Sequence, residues 1–176
     1  MIISLTGFMG CGKSSIGRRL SELLCCPYID LDSVIEEKDG RSIPEIFAKD
    51  GEAVFRQMEH AALTSVPLTE STGIMVLSLG GGTVMTRECA EMVMENTICI
   101  YLRASVDTLV TNLKDEADGR PMLQSSVSLR ERIEELMSQR ADTYEKTSHI
   151  VVDTDGKSID EIATAIITHP LFQQMR

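Results

Sequence analysis

The residues with the clearest chemical content come at the start of the chain. Gly7-Phe8-Met9-Gly10-Cys11-Gly12-Lys13-Ser14 follows the spacing G-x-x-x-x-G-K-[ST]. Glycines at these positions permit backbone torsions that aim successive amide N–H groups at one point, and a helix opening near Lys13 adds its own N-terminal donors. The ammonium of Lys13 would reach the β- and γ-phosphates, and the Ser14 hydroxyl suits a place on Mg²⁺. This pattern predicts a bound nucleoside triphosphate. Cys11 lies inside the loop, and two readings of it stay open. Its thiol is either acidified by the neighbouring ammonium and helix dipole, or it is a small side chain turned away from the phosphates.

A phosphate loop does not say where the phosphate goes. Asp30-Leu31-Asp32 ends a short apolar segment, and strand alternation predicts both carboxylates on one side, facing the region where α/β proteins bind ligands. One carboxylate near Mg²⁺ and one near an acceptor hydroxyl would divide the labour of phosphoryl transfer, although two solvated aspartates capping a helix give the same pattern. Arg56 and Glu59 are spaced i, i+3 on one helix. Glu59 could orient Arg56 for a two-pronged grip on a carboxylate, or the two could form a surface ion pair. Gly80-Gly81-Gly82 after an apolar run allows a ligand close to the backbone. Gly119-Arg120-Pro121 lies in an aperiodic stretch from which an arginine could reach a transferring phosphoryl group. Arg140 stands one turn before Tyr144 and reads, by itself, as exposed.

Those residues need a frame, and the chain alternates strand-like with helix-like segments. Strands are expected over Met1–Thr6, Tyr28–Leu31, Ile74–Leu79, Thr97–Leu102 and Ile150–Asp153. Helices are expected over Ser14–Leu24, from Ser33 towards Gly40, over Ile43–Ala48, Glu52–Val66, Arg87–Glu95 and Ser105–Lys114, then from Ser128 towards Lys146 and from Ser158 onward. Ser33, Ser128 and Ser158 each precede a glutamate by three positions, the capping-box spacing. The longest irregular stretch is Asp115–Val127, and aperiodic stretches of that length are usually functional or disordered. Strands interleaved with helices imply an α/β protein whose parallel sheet is covered on both faces.

The 176 residues suit one domain, with 43% hydrophobic and 25% charged residues. No apolar run approaches the ~18–20 residues of a membrane helix, and Met1–Gly7 lacks the basic-then-apolar order of an export signal. With 27 acidic against 17 basic residues, the net charge of −10 repels polyanions. Nucleic acid and anionic membranes are therefore not expected partners. The five cysteines, Cys11, Cys25, Cys26, Cys89 and Cys99, form no Cys-x-x-Cys pair. They point to a reduced, cytoplasmic setting, with the last four as core filler. A monomer is the default expectation.

Taken in order, these motifs resemble the shikimate kinases over nearly the whole chain. The resemblance runs through the phosphate loop, Asp30-x-Asp32, Gly40-Arg41-Ser42-Ile43, Phe55-Arg56-x-x-Glu59, Gly80–Gly82, Arg120-Pro121 and Arg140-x-x-x-Tyr144. It implies a P-loop kinase fold, a three-layer α/β/α arrangement with a five-stranded parallel sheet of order 2-3-1-4-5. It also implies transfer of the γ-phosphate of ATP to the 3-hydroxyl of shikimate, with Mg²⁺, in aromatic amino-acid synthesis. The nucleotide contacts would be Gly10, Cys11, Gly12, Lys13, Ser14, Ser15, Arg120 and Lys157, and the metal would sit on Ser14 and Asp30 with Ser78 near its water shell. Asp32 would engage the reacting hydroxyl, Arg56 and Arg140 the shikimate carboxylate, and Gly80, Gly81 and Gly82 the pocket floor, with Phe47 and Phe55 as apolar walls. Lys13, Asp32 and Arg120 would be catalytic. Residues of about 31–60 would form the acceptor subdomain and about 112–127 a lid, mobile without ligands. Two stretches depart from the family's habit. Lys114-Asp-Glu-Ala-Asp-Gly119 is acidic where relatives are often basic, and Asp153-Thr-Asp-Gly-Lys157 lacks the arginine and proline common beside adenine; both imply weaker contacts to the base. Gluconate and nucleoside monophosphate kinases are the nearest rivals, and Arg56-x-x-Glu59 with the triple glycine argues against them. A regulatory module without catalysis is opposed by the presence of Lys13, Asp30, Asp32 and Arg120 together.

Overall fold

The central strand explains why everything else is placed as it is. β1 (Ile2–Thr6) is buried along its whole length, Ser4 and Thr6 included, as befits a strand covered on both faces. In the computed structural model, which describes residues 1–66, 73–116, 119–125 and 127–175, β1 pairs in parallel with β3 (Met75–Ser78) on one side and β4 (Ile98–Arg103) on the other. β2 (Tyr28–Asp30) and β5 (Ile150–Asp153) form the edges, giving a five-stranded sheet of order β2-β3-β1-β4-β5. The register sets Leu5 beside Ser78 and Asp30 beside Ser78, so the carboxyl ends of β1, β2 and β3 finish together. That common end is where an open α/β sheet offers a ligand site.

Helices cover both faces. α1 (Lys13–Leu24) packs Ile16, Gly17 and Leu20 onto the sheet, and α7 (Ile159–Ile167) lies beside it. α4 (Arg87–Asn96) and α6 (Leu129–Thr147) pack against β4 on the opposite face, with α5 (Val106–Leu113) against α6. Serines cap α5, α6 and α7, the last two at the capping-box spacing read in the sequence: Ser105, Ser128 and Ser158 each accept an amide N–H from the first turn.

The second helix starts earlier than its sequence suggests. α2 (Leu31–Asp39) is capped by Asp30, whose carboxylate accepts the Asp32 N–H at 3.1 Å, three residues before the expected Ser33 cap. Glu36 is then released to take the Ile43 N–H at 2.9 Å, which fixes the start of α3 (Ile43–Ser65). α3 is two helices meeting at Gly51, whose φ of 80° and ψ of 174° interrupt the ladder where Lys49-Asp50-Gly51 separates the two expected segments. Arg41 holds that corner through Asp39 at 2.5 Å and Asp50 at 2.7 Å. A short terminal helix, α8 (Pro170–Met175), has no counterpart in the sequence expectations. Among the described residues, no helix is long and apolar enough to cross a membrane.

The cysteines divide. Cys89 and Cys99 are buried, as expected of core filler, whereas Cys26 is half-buried and Cys25 is exposed. Cys25 sits at φ 48° and terminates α1, a position set by the backbone turn and not by packing.

Candidate active site

α1 has no side-chain cap and no acidic residue in its first turn. Its N-cap is Gly12 at φ 94°, a left-handed conformation that a glycine adopts without strain and that leaves the helix amides pointing outward. Lys13 Nζ folds back onto the loop, donating to Gly7 O at 2.8 Å and Phe8 O at 3.0 Å. The amide of Asn112, at the end of α5, braces the loop from outside by donating to Gly10 O at 2.8 Å. The result is a ring of backbone donors with one cation at its rim, which suits a polyphosphate.

The cavity in front of this loop measures about 750 Å³. Its wall includes Gly10, Gly12, Lys13, Ser14, Ser15, Asp30, Asp32, Arg56, Gly80, Gly81, Gly82, Arg120 and Arg140, together with Phe47, Phe55 and Ser78. Thus all but two of the expected contact residues reach one space. Cys11 does not: its side chain is 4% exposed and belongs to the core, with Sγ 3.9 Å from Lys13 Nζ. Its side chain is thus withdrawn from a nucleotide, and its amide N–H donates to Phe8 O at 3.2 Å. Lys157 does not line the cavity either; its ammonium is turned to Asp153 O at 2.8 Å.

Asp30 and Asp32 reach the cavity by a different route from strand alternation. Asp30 ends β2, but Asp32 stands in the first turn of α2, so a helix start and not the pleat brings them together. Asp30 Oδ2 accepts the Ser14 hydroxyl at 3.0 Å and the Tyr28 hydroxyl at 3.0 Å. Asp32 is pushed up to about 6, chiefly by burial and next by the charges of Asp30 and Glu59, with Lys13 pulling the other way. Its Oδ1 is buried and has no hydrogen-bond partner among the described residues. An unsatisfied acceptor on a carboxylate that titrates near neutrality suits a group meant to receive a proton.

The opposite wall carries the positive charge. Arg56 has 16% of its side chain exposed and is bound by two glutamates, by Glu59 through Nη1 and by Glu52 through Nη2 at 2.8 Å. Glu59 is almost wholly buried, at 1% exposure, so the pair is not a surface ion pair. Its other oxygen accepts the Thr83 hydroxyl at 2.8 Å. Arg140 is 5% exposed, against the exposed position expected from its type, because α6 turns this face onto the sheet end. There its guanidinium lies 5.9 Å from the Phe8 ring, and Tyr144, stacked on Tyr101, donates its hydroxyl to Gly81 O.

The three glycines have a reason visible only in space. A Cβ on Gly80 would lie 2.7 Å from Glu59 Oε1 and 2.8 Å from Asp32 Oδ1, and one on Gly82 would run into the guanidinium of Arg56. Gly80 and Gly82 are bare because the protein's own charged side chains press against them, and Gly81 because the Met9 amide lies 3.2 Å from where its Cβ would stand. Arg120 lines the cavity with Nη2 on Glu116 at 2.6 Å, while its Nε is buried without a partner among the described residues. The expected lid over about 112–127 includes Ala117, Asp118 and Ser126, which lie outside the described residues. Thr83, Asn112 and Glu116 were not legible as site residues. Their partners lie far away in sequence or within an aperiodic stretch.

This arrangement, a bare helix start facing two carboxylates and two buried arginines, has close counterparts. A family model described as shikimate kinase matches residues 9–169. The chain belongs to the shikimate kinase family. A shikimate kinase of Thermus thermophilus is 41% identical over 165 residues, covering 94% of this chain and 87% of the relative. A solved shikimate kinase from Acinetobacter baumannii, in complex with shikimate, superposes with a TM-score of 0.91 at 30% identity, covering 99% of this chain and 95% of that one. The enzyme from Aquifex aeolicus gives 0.79 at 27% identity, covering 99% of both chains. The family's sheet order matches the observed β2-β3-β1-β4-β5, and this member is a kinase with ATP as co-substrate.

Proposed function

We propose that this chain transfers the γ-phosphate of ATP to the 3-hydroxyl of shikimate, giving 3-phosphoshikimate and ADP in aromatic amino-acid synthesis. The observation that carries the reading is the acceptor wall: Arg56 and Arg140 in the same cavity as Asp32, opposite the phosphate loop. On a chain of net charge −10, two largely buried arginines at one site favour a small anionic acceptor. The shikimate in the Acinetobacter baumannii structure supports the same acceptor here.

In this reading the amides of Gly10–Ser15 hold the phosphates, and Lys13 leaves Gly7 O and Phe8 O for the β- and γ-oxygens. Mg²⁺ fits the oxygen donors of Ser14 and Asp30, which lie 3.0 Å apart at the loop's mouth. When bound it supplies neutralisation of phosphate charge. Arg56 and Arg140 fix the carboxylate, turning the 3-hydroxyl towards Asp32. Asp32 Oδ1 accepts the hydroxyl proton as the oxygen attacks, and Arg120 meets the charge that collects on the transferring phosphoryl group. Residues of about 31–60 act as the acceptor subdomain and about 112–127 as the lid that excludes water. A monomer in a reducing, cytoplasmic setting completes the reading.

The test is product identity. Incubation with ATP, Mg²⁺ and shikimate is expected to give one phosphate monoester at the 3-hydroxyl by ³¹P and ¹H NMR, in equal amount to ADP. Inorganic phosphate as the sole product would contradict the reading.

A further inference from the structure

Behind the guanidinium of Arg56 lies an almost wholly buried carboxylate, Glu59, at the edge of the cavity. The two oxygens of Glu59 face different partners: Oε2 takes Arg56 Nη1, and Oε1 takes the Thr83 hydroxyl at 2.8 Å. Thr83 is fully buried and lies outside the cavity lining, so no substrate touches it. It opens the 3-10 turn Thr83–Met85, and its own amide donates to Gly80 O at 3.2 Å. One residue therefore joins the backbone of the glycine loop to the carboxylate on α3.

The position is demanding. A Cβ on Gly80 would stand 2.7 Å from Glu59 Oε1, 2.8 Å from Asp32 Oδ1 and 2.9 Å from Thr83 Oγ1, so two carboxylates and one hydroxyl crowd a single point. Like charges so placed repel, and a buried carboxylate that loses a donor is costly. Thr83 has one hydroxyl proton, and the geometry gives it to Glu59. Arg56 meanwhile has an alternative partner in Glu52, whose side chain is 50% exposed and which binds Nη2 at 2.8 Å. Without a fixed Glu59, the guanidinium would follow Glu52 towards solvent.

We propose that Thr83 is a positioning residue for acceptor recognition. Its hydroxyl fixes Glu59, Glu59 fixes the plane of Arg56, and Arg56 so held selects an acceptor bearing a carboxylate. This deepens the proposed shikimate kinase reading and rests on it.

The experiment compares shikimate with its uncharged carboxamide as acceptors for the full chain. Thr83→Val keeps the shape and removes the hydroxyl. It is expected to raise KM for shikimate about 10–20-fold, near the lower end of what a hydrogen bond to a charged group contributes, while kcat and KM for ATP stay within about threefold. The preference for shikimate over the carboxamide, read as the ratio of kcat/KM values, should fall by a similar factor. Thr83→Ser, which retains the hydroxyl, should restore both. If the valine variant does not fold, Thr83→Ala and Thr83→Ser differ by one oxygen atom and carry the same test. An unchanged KM for shikimate, or equal losses on the two acceptors, would overturn the assignment of Thr83 while leaving the functional reading intact. Wild-type protein with no shikimate-dependent turnover would overturn the functional reading and this inference with it.

Discussion

The two halves of the cavity are built by different means. The phosphate half is one contiguous stretch, Gly7–Ser14, whose backbone amides the proposed function assigns to the phosphates and whose cation, Lys13, is two residues from a buried thiol. The acceptor half draws on four separated segments, Asp32 on α2, Arg56 and Glu59 on α3, the loop Gly80–Gly82 and Arg140 on α6. Backbone donors need only the right torsions, which Gly12 provides at the start of α1 and which Asn112 on α5 braces through Gly10 O. Side-chain charges need each other. In the acceptor half Glu59 is buried against Arg56, its charge helps to raise Asp32, and Arg140 is buried beside Gly81 O, so a change at one charged side chain is felt at the next. The phosphate half should therefore depend on its glycine torsions and on two side chains, Lys13 and Ser14, and the acceptor half on its charged side chains and the room that Gly80 and Gly82 leave them.

The sharpest way to separate the halves is to disable one and measure the other. Asp32→Asn keeps the shape and removes the proton acceptor, and kcat is expected to fall about 10²–10⁴-fold while KM for ATP holds. In the wild type, with Asp32 pushed up to about 6, kcat/KM for shikimate should decline as pH drops through that value, because the protonated acid no longer accepts a proton. A flat profile between pH 5 and 8 would give the proton to another group. Arg120→Ala, at the boundary between the halves, should lower kcat on the order of 10³-fold, with ADP affinity by calorimetry little changed.

Smaller effects probe the acceptor wall itself. Arg56→Lys should raise KM for shikimate by about tenfold, since an ammonium cannot reproduce a two-pronged grip. Gly82→Ala is expected to act on the same constant, because its methyl displaces the Arg56 guanidinium. Either variant changing KM for ATP more than KM for shikimate would erase the distinction between the halves. The smallest effect is on stability. Asp32 holds its proton more tightly when folded, so ionising it costs stability as pH rises from its ordinary value of 3.8 through about 6, and the full cost is present at pH 7. Asp32→Asn should thus stabilise the fold by about 1–3 kcal/mol at pH 7 and by almost nothing at pH 3, read by denaturant unfolding.

The same contrast decided what could be read from the sequence. The phosphate loop was legible because its residues are adjacent and their chemistry is stated by spacing alone. The five strands were legible from apolar runs, and two helix starts from their serine caps; the sheet order came from the resemblance, since alternation of elements does not order strands. Asp30 and Asp32 were legible as a pair but not as a helix start, because Asp30 takes the Asp32 amide before Ser33 can act as cap. Arg140 reads as exposed until α6 is laid on the sheet end. Thr83 meets Glu59 across 24 positions and Asn112 meets Gly10 across 102, so neither partnership leaves a local pattern.

In the proposed function the acceptor wall, and not the phosphate loop, sets what this kinase phosphorylates. Coupled ADP release with Mg-ATP and shikimate, gluconate or a nucleoside monophosphate in parallel tests this. Turnover is expected to depend on shikimate and to far exceed both the background hydrolysis and the rate with the other two. Equal or faster turnover with gluconate or a nucleoside monophosphate would contradict it.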